Sequence, residues 1–196
     1  LEKAKKFRFF LFFHGFNCHN PFKPSPEFDI YSKDYKGNYS IDKLYREYKL
    51  PSNQADIGHV IAKYDATILG ADFVLGRLFE KLDRLKILSK TLIIIVSDHG
   101  HGFGEHESYG HATLLYDEVI RIPMIMYGPG IISEGREIDG LVSLVDIAPT
   151  ILRILNIKND LCFDGVDILP LIKSGAETNE AVFSETGIVI KKRGGV

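Results

Sequence analysis

The chain has 196 residues, 45% of them hydrophobic and 26% charged, with a formal net charge of −2. That is about one domain's worth of ordinary soluble composition, long enough to bury a substantial core. The near-neutral balance gives no reason to expect nucleic acid or an acidic membrane surface as a partner, and the basic stretch Lys3 to Arg8 is short.

Phe7 to His14 is apolar apart from Arg8 and predicts a buried strand. It is far shorter than the ~20 residues that span a bilayer, so no transmembrane or targeting segment is expected and the location stays unknown. Cys18 and Cys162 are too few and too distant for a disulfide framework. Asn38-Tyr39-Ser40 fits a glycosylation acceptor, which matters only in a secreted eukaryotic protein. Residues 17–48 are polar and rich in proline and tyrosine, and predict a long surface excursion of the functional kind.

From Asn53 the period changes. Ile57, Val60, Ile61, Tyr64, Ile68, Ala71, Leu75, Leu78, Leu82 and Leu85 recur at spacings of three and four, the apolar stripe of an amphipathic helix. Ser52 and Asn53 suit its N-terminal cap, and Gly70 marks a weak point. A buried strand is predicted at 91–97, a short helical piece at 114–119 and a second buried strand at 123–127, ended by Gly128-Pro129-Gly130. Residues 145–155 predict a helix with Pro149 near its first turn, 163–171 a loop with a short turn, and 181–184 and 188–191 two further strands. Strands alternating with helices give the expected fold class, α/β, as a layered α/β/α domain with a largely parallel central sheet.

The chemistry concentrates in Ser97-Asp98-His99-Gly100 and the loop behind it. Four of the seven histidines lie between positions 99 and 111, beyond the carboxyl end of a strand, where ligands gather in open α/β sheets. Asp98 and His99 would point to opposite faces of a continuing strand. They converge on one ion only if the chain turns, which Gly100, Gly102 and Gly104 permit. A carboxylate with an imidazole suits a divalent ion from Zn²⁺ or Mn²⁺ towards Mg²⁺ or Ca²⁺; the competing reading is a solvated, histidine-rich loop.

Several motifs then fall into one order. His14 and His19-Asn20-Pro21-Phe22 are followed by Ser97-Asp98-His99-Gly100, Phe103-Gly104-Glu105-His106, Gly110-His111, Tyr116-Asp117-Glu118 with Arg121-Ile122-Pro123, and Gly128-Pro129-Gly130. Leu144-Val145-Asp146-Ile147-Ala148-Pro149-Thr150 and Asp164-Gly165 complete the set. Between about Phe7 and Leu171 the chain resembles the later part of a sulfatase domain, within the alkaline phosphatase superfamily.

The resemblance implies an alkaline-phosphatase-like fold and a metal-dependent hydrolase of sulfate esters. Asp98 and His99 match the pair that supplies metal ligands from a strand end, for one divalent ion, Ca²⁺ ahead of Mg²⁺ or Mn²⁺. His19 matches the histidine of the family's Pro-His-x-Pro-Tyr stretch, with Cys18 in place of the proline. His111 falls near the position where relatives set a lysine or histidine against the substrate oxyanion. His19 and His111 are thus the implied catalytic and substrate-binding residues, for a small-molecule or glycan sulfate ester, or a phosphate ester. Relatives also carry an Asp-Asp metal pair and a Cys/Ser-x-Pro-x-Arg nucleophile oxidised to formylglycine, and neither is present. The expectation is that 1–196 is a partial catalytic domain whose missing N-terminal half is its partner, inactive alone and with an exposed apolar face. A phosphonate or phosphodiester hydrolase or phosphoryl transferase, and a noncatalytic binding module, are the alternatives.

Each site residue also has a structural reading. His14 suits a buried strand histidine, His101 and His106 exposed loop positions, and His59 a packing residue of the long helix. Cys18 suits a passive thiol, and Asp146 and Asp164 cap or turn roles.

Overall fold

The computed structural model describes residues 1–2, 7–111, 114–132, 135–176 and 181–186. It divides into two compact units, Leu1–Leu88 with His101–His111, and Ser89–Gly100 with Ala112–Val196.

The first unit is organised by the predicted long helix. Within the excursion lies a short helix, α1 (Ile41–Glu47), which buries Ile41 and Leu44. The long helix, α2 (Gln54–Arg84), begins where Asn53 Oδ1 accepts the Asp56 amide at 2.9 Å. It runs unbroken through Gly70, which sits under the Phe28 ring; a Cβ there would approach that ring to 3.2 Å. Val60, Ala66, Thr67 and Leu82 are buried, whereas Ile61 and Ile68 of the same stripe are exposed. Phe22, Ile41, Leu44, Val60 and Tyr109 form the core, flanked by Tyr39, Leu50, Tyr64 and Phe103. The excursion lies over the surface as expected, most of its residues exposed, and is tied to the helix by side-chain bonds. Asp29 pairs with Lys63 and accepts from Ser32, and the Tyr35 hydroxyl donates to Asp56.

Residues 7–14 do not form the predicted buried strand. They are irregular, and Phe7, Phe10 and Phe12 are 76%, 81% and 77% exposed. A strand is stable only where a neighbour takes its backbone hydrogen bonds, and no described segment pairs with this one. His14 is accordingly exposed, its ring 4.6 Å from Phe16.

In the second unit, β1 (Ile93–Val96) pairs antiparallel with a later strand, β4 (Met124–Tyr127), with Ile93 opposite Tyr127 and Val96 opposite Met124. The first unit holds the other described ladder, β2 (Gly102–Phe103) against β3 (Tyr109–Gly110), also antiparallel. Among the described residues no parallel pairing occurs. With one partner each, β1 and β4 are only half covered, where their sequences predicted full burial.

Between the two strands of the second unit lies α3 (Asp117–Ile120). Beyond them come α4 (Ile147–Ile154), led by a tight turn at Leu144–Asp146, and α5 (Leu169–Ser174), with Pro170 in its first turn. The buried Asp146 carboxylate accepts the Ser143 and Val166 amides at 2.7 and 2.8 Å, and Thr150 Oγ1 accepts from Ile168 at 3.0 Å. These bonds lock the motif around Asp146 to the segment before α5, a structural task. Residues 181–184 are described without a strand, and the strand predicted at 188–191 lies outside the described residues. No described helix is long and apolar enough to cross a membrane.

Candidate functional site

Asp98 and His99 stand where β1 ends. The Ser97 hydroxyl donates to the His99 carbonyl at 2.6 Å, and the Gly100 amide donates to the Val119 carbonyl at 2.7 Å. Gly100 lies so close to α3 that a Cβ would meet the Glu118 carbonyl oxygen at 2.1 Å. The turn that brings neighbouring side chains together thus needs glycine here.

As a result Asp98 Oδ2 and His99 Nε2 lie 3.8 Å apart. His99 Nδ1 is 2.7 Å from the Gly100 carbonyl oxygen. A carbonyl only accepts, so Nδ1 carries the proton and the neutral ring has its lone pair on Nε2, the atom facing the carboxylate. Fixing the tautomer through the other ring nitrogen is how proteins prepare imidazole ligands. The donor chemistry fits a divalent cation. The donor number does not suffice by itself: Ca²⁺ takes about six to eight oxygens and Zn²⁺ about four ligands. Among the described residues no group of three or more His, Cys, Asp or Glu is arranged to hold an ion.

His19 and His111 belong to the first unit. The His19 amide donates to the Phe16 carbonyl at 3.1 Å, and its Nδ1 donates to the Asn20 carbonyl at 2.6 Å. His111 follows β3, where Gly110 has φ +97°, and a Cβ at that position would strike the Tyr48 hydroxyl at 2.3 Å. The two imidazoles meet edge to face, with centroids 6.1 Å apart. The structure brings together these two histidines, and separately Asp98 with His99; the two pairs lie in different units.

His101 departs from its predicted exposed position. It is half-buried among Phe22, Tyr64, Phe103 and Tyr109, with ring centroids at 5.3, 6.4, 4.9 and 4.8 Å. The signal available in sequence was the spacing 101, 103, 109, 111 around a glycine-rich turn. His106 is exposed as expected, and His59 stacks on Tyr35 at 3.9 Å. Burial pushes the Cys18 thiol up, against an opposing hydrogen bond with Thr67, which argues against a thiolate nucleophile. Burial also raises the Tyr109 phenol.

The Sulfatase family model matches residues 1–157. The chain belongs to the sulfatase family. It is similar to human Arylsulfatase K, 34% identical over 149 residues that make 76% of this chain and 26% of that protein. To the N-acetylglucosamine-6-O-sulfatase of Bacteroides thetaiotaomicron it is 28% identical, over 74% of this chain and 24% of that one. It therefore spans about a quarter of the length of these curated relatives.

Among solved structures it resembles a protein in complex with its substrate D-glucosamine-2-N,6-O-disulfate, at TM-score 0.59 and 27% identity. That likeness covers 70% of this chain and 28% of the other. A second likeness, at TM-score 0.59 and 29% identity, is to the phosphonate monoester hydrolase of Agrobacterium radiobacter, over 65% and 25% of the two chains. The fold class is thus the α/β fold of the sulfatases and of the alkaline phosphatase superfamily.

Proposed function

We propose that this chain is part of the catalytic domain of a metal-dependent sulfate-ester hydrolase, completed in the whole protein as a layered domain with a largely parallel sheet. The observation that carries the reading is the family match together with the convergent Asp98–His99 pair inside it. Asp98 and His99 would hold one divalent ion, Ca²⁺ ahead of Mg²⁺ or Mn²⁺. Bound there, the ion would supply Lewis-acid stabilisation of charge on the transferred group.

His19 and His111 are assigned to the sulfuryl oxygens and the leaving oxygen. Because His19 Nδ1 donates to the Asn20 carbonyl, its Nε2 bears a proton only in the imidazolium form. That form donates to a sulfuryl oxygen and can pass its proton to the departing alkoxide, as general acid catalysis requires. The substrate class is an aryl or glycan sulfate, in line with the names of the relatives. A second reading, phosphonate monoester hydrolysis, is favoured by the likeness to the Agrobacterium enzyme, since related sites on one fold serve both groups.

The test is to assay the whole protein on 4-nitrocatechol sulfate and on a phenyl phosphonate monoester, with and without EDTA. The first reading expects metal-dependent sulfate release that exceeds phosphonate turnover. The reverse order would move the assignment to the second reading, and turnover of neither, nor of a 6-O-sulfated glucosamine, would leave a binding module.

A further inference from the structure

The β2–β3 hairpin pairs Gly102 with Gly110 and Phe103 with Tyr109. One step towards its open end sets His101 opposite His111. Side chains alternate along a strand, so His101, Phe103, Tyr109 and His111 share one face while the two glycines occupy the other. The ring distances agree: His101 lies 4.8 Å from Tyr109, 4.9 Å from Phe103 and 5.6 Å from His111. Behind it, Phe22 closes edge-on at 5.3 Å with no exposed surface. His101 is thus held by the core, while its half-buried cross-strand neighbour His111 has the His19 ring on its other contact, 6.1 Å away.

We infer that His101 is a positioning residue for His111, fixing the orientation of that imidazole by ring contact across the hairpin without itself touching the substrate. Cross-strand side-chain pairs are the units that hold a ladder's face in register. A contacting group displaced by about 1 Å can cost on the order of 100-fold in rate, so a ring that limits how His111 can turn has a kinetic consequence. The inference rests on the reading of His111 as a sulfuryl contact.

The test uses the whole protein and two substitutions, His101→Leu, which fills the core without a planar ring, and His101→Phe, which restores one. On 4-nitrocatechol sulfate, His101→Leu is expected to lower kcat about tenfold, with KM within about twofold, and His101→Phe to recover most of the loss. In a His111→Gln background the same His101→Leu change should add almost nothing, because its effect travels through the missing ring. An equal loss in both backgrounds, or no recovery with phenylalanine, overturns the inference. A parallel readout is the NMR resonance of His111 Hε1, which should move in His101→Leu and return towards its original position in His101→Phe. If His111→Gln leaves hydrolysis unchanged or abolishes it, this resonance decides the contact: a shift sustains the positioning, and none overturns it. The former outcome, unchanged hydrolysis, is also how failure of the functional reading of His111 would show itself.

Discussion

At the scale of single residues, the decisive contrast is between polar groups that are given partners and those that are not. The Asp98–His99 pair was legible because the sequence places two donor types at a strand end, followed by glycine. What the sequence did not hold was the reason for that glycine, the carbonyl of Glu118 arriving from a helix eighteen residues on. With Asp98 71% exposed and, among the described residues, no group of three or more His, Cys, Asp or Glu arranged around an ion, the chain alone should bind Mn²⁺ or Ca²⁺ weakly, because ligand number and preorganisation set affinity. Titration calorimetry should return a weak association that Asp98→Ala removes; tight binding surviving that change would refute the ligand assignment. Tyr109 is the opposite case. Its hydroxyl is buried and has no hydrogen-bond partner among the described residues. A buried, unpaired polar group costs about 1–3 kcal/mol, so Tyr109→Phe should leave the melting temperature unchanged or raise it. A clear drop on thermal melting would mean the hydroxyl is bonded after all.

At the scale of elements, α2 was predicted almost to its ends, since a helix is encoded locally by its stripe and its cap. Asn53 accepts the Asp56 amide and returns a hydrogen bond to the Asp56 carboxylate at 2.7 Å. Asn53→Ala should therefore cost about 1 kcal/mol, measurable by urea denaturation, while Asn53→Ser, which can both accept and donate, should retain most of the cap. The strand predicted at 7–14 failed for the complementary reason: a strand is encoded jointly with its neighbour, and periodicity within one segment cannot supply that neighbour. The same limit hid the packing of the excursion onto α2, which includes Asp29 meeting Lys63 thirty-four residues later. Burial alone would raise the Asp29 carboxyl, but hydrogen bonds from Lys63 and Ser32 outweigh it and lower it. A depressed folded-state value means the contribution is present above the unfolded carboxylate range and is lost as pH falls through the folded one. The gap in melting temperature between the chain and Asp29→Asn should accordingly be open at neutral pH and close under acid; a gap that persisted in acid would assign the effect to packing.

At the scale of the whole molecule, the chain carries a family's motifs in order, yet its apolar residues are unevenly served. Phe22 and Leu44 are completely buried, while Phe7, Phe10, Phe12, Phe13 and Phe16 are all more than half exposed. Isolated exposed apolar residues are ordinary, but five phenylalanines within ten positions make a patch of the kind that marks an interaction surface or an aggregation liability. In water such a patch is unfavourable by about 25 cal/mol for each Å² that contact could remove, so the chain on its own should bind an apolar dye such as ANS and self-associate at rising concentration. The double substitution Phe10→Glu with Phe12→Glu should suppress both effects while leaving the helical circular dichroism of α2 intact, because neither side chain belongs to the core around Phe22. Dye binding unchanged by that substitution would place the exposed apolar surface elsewhere, along Ile61, Ile68 and Phe73 of α2. Loss of helicity would show instead that residues 7–13 support α2.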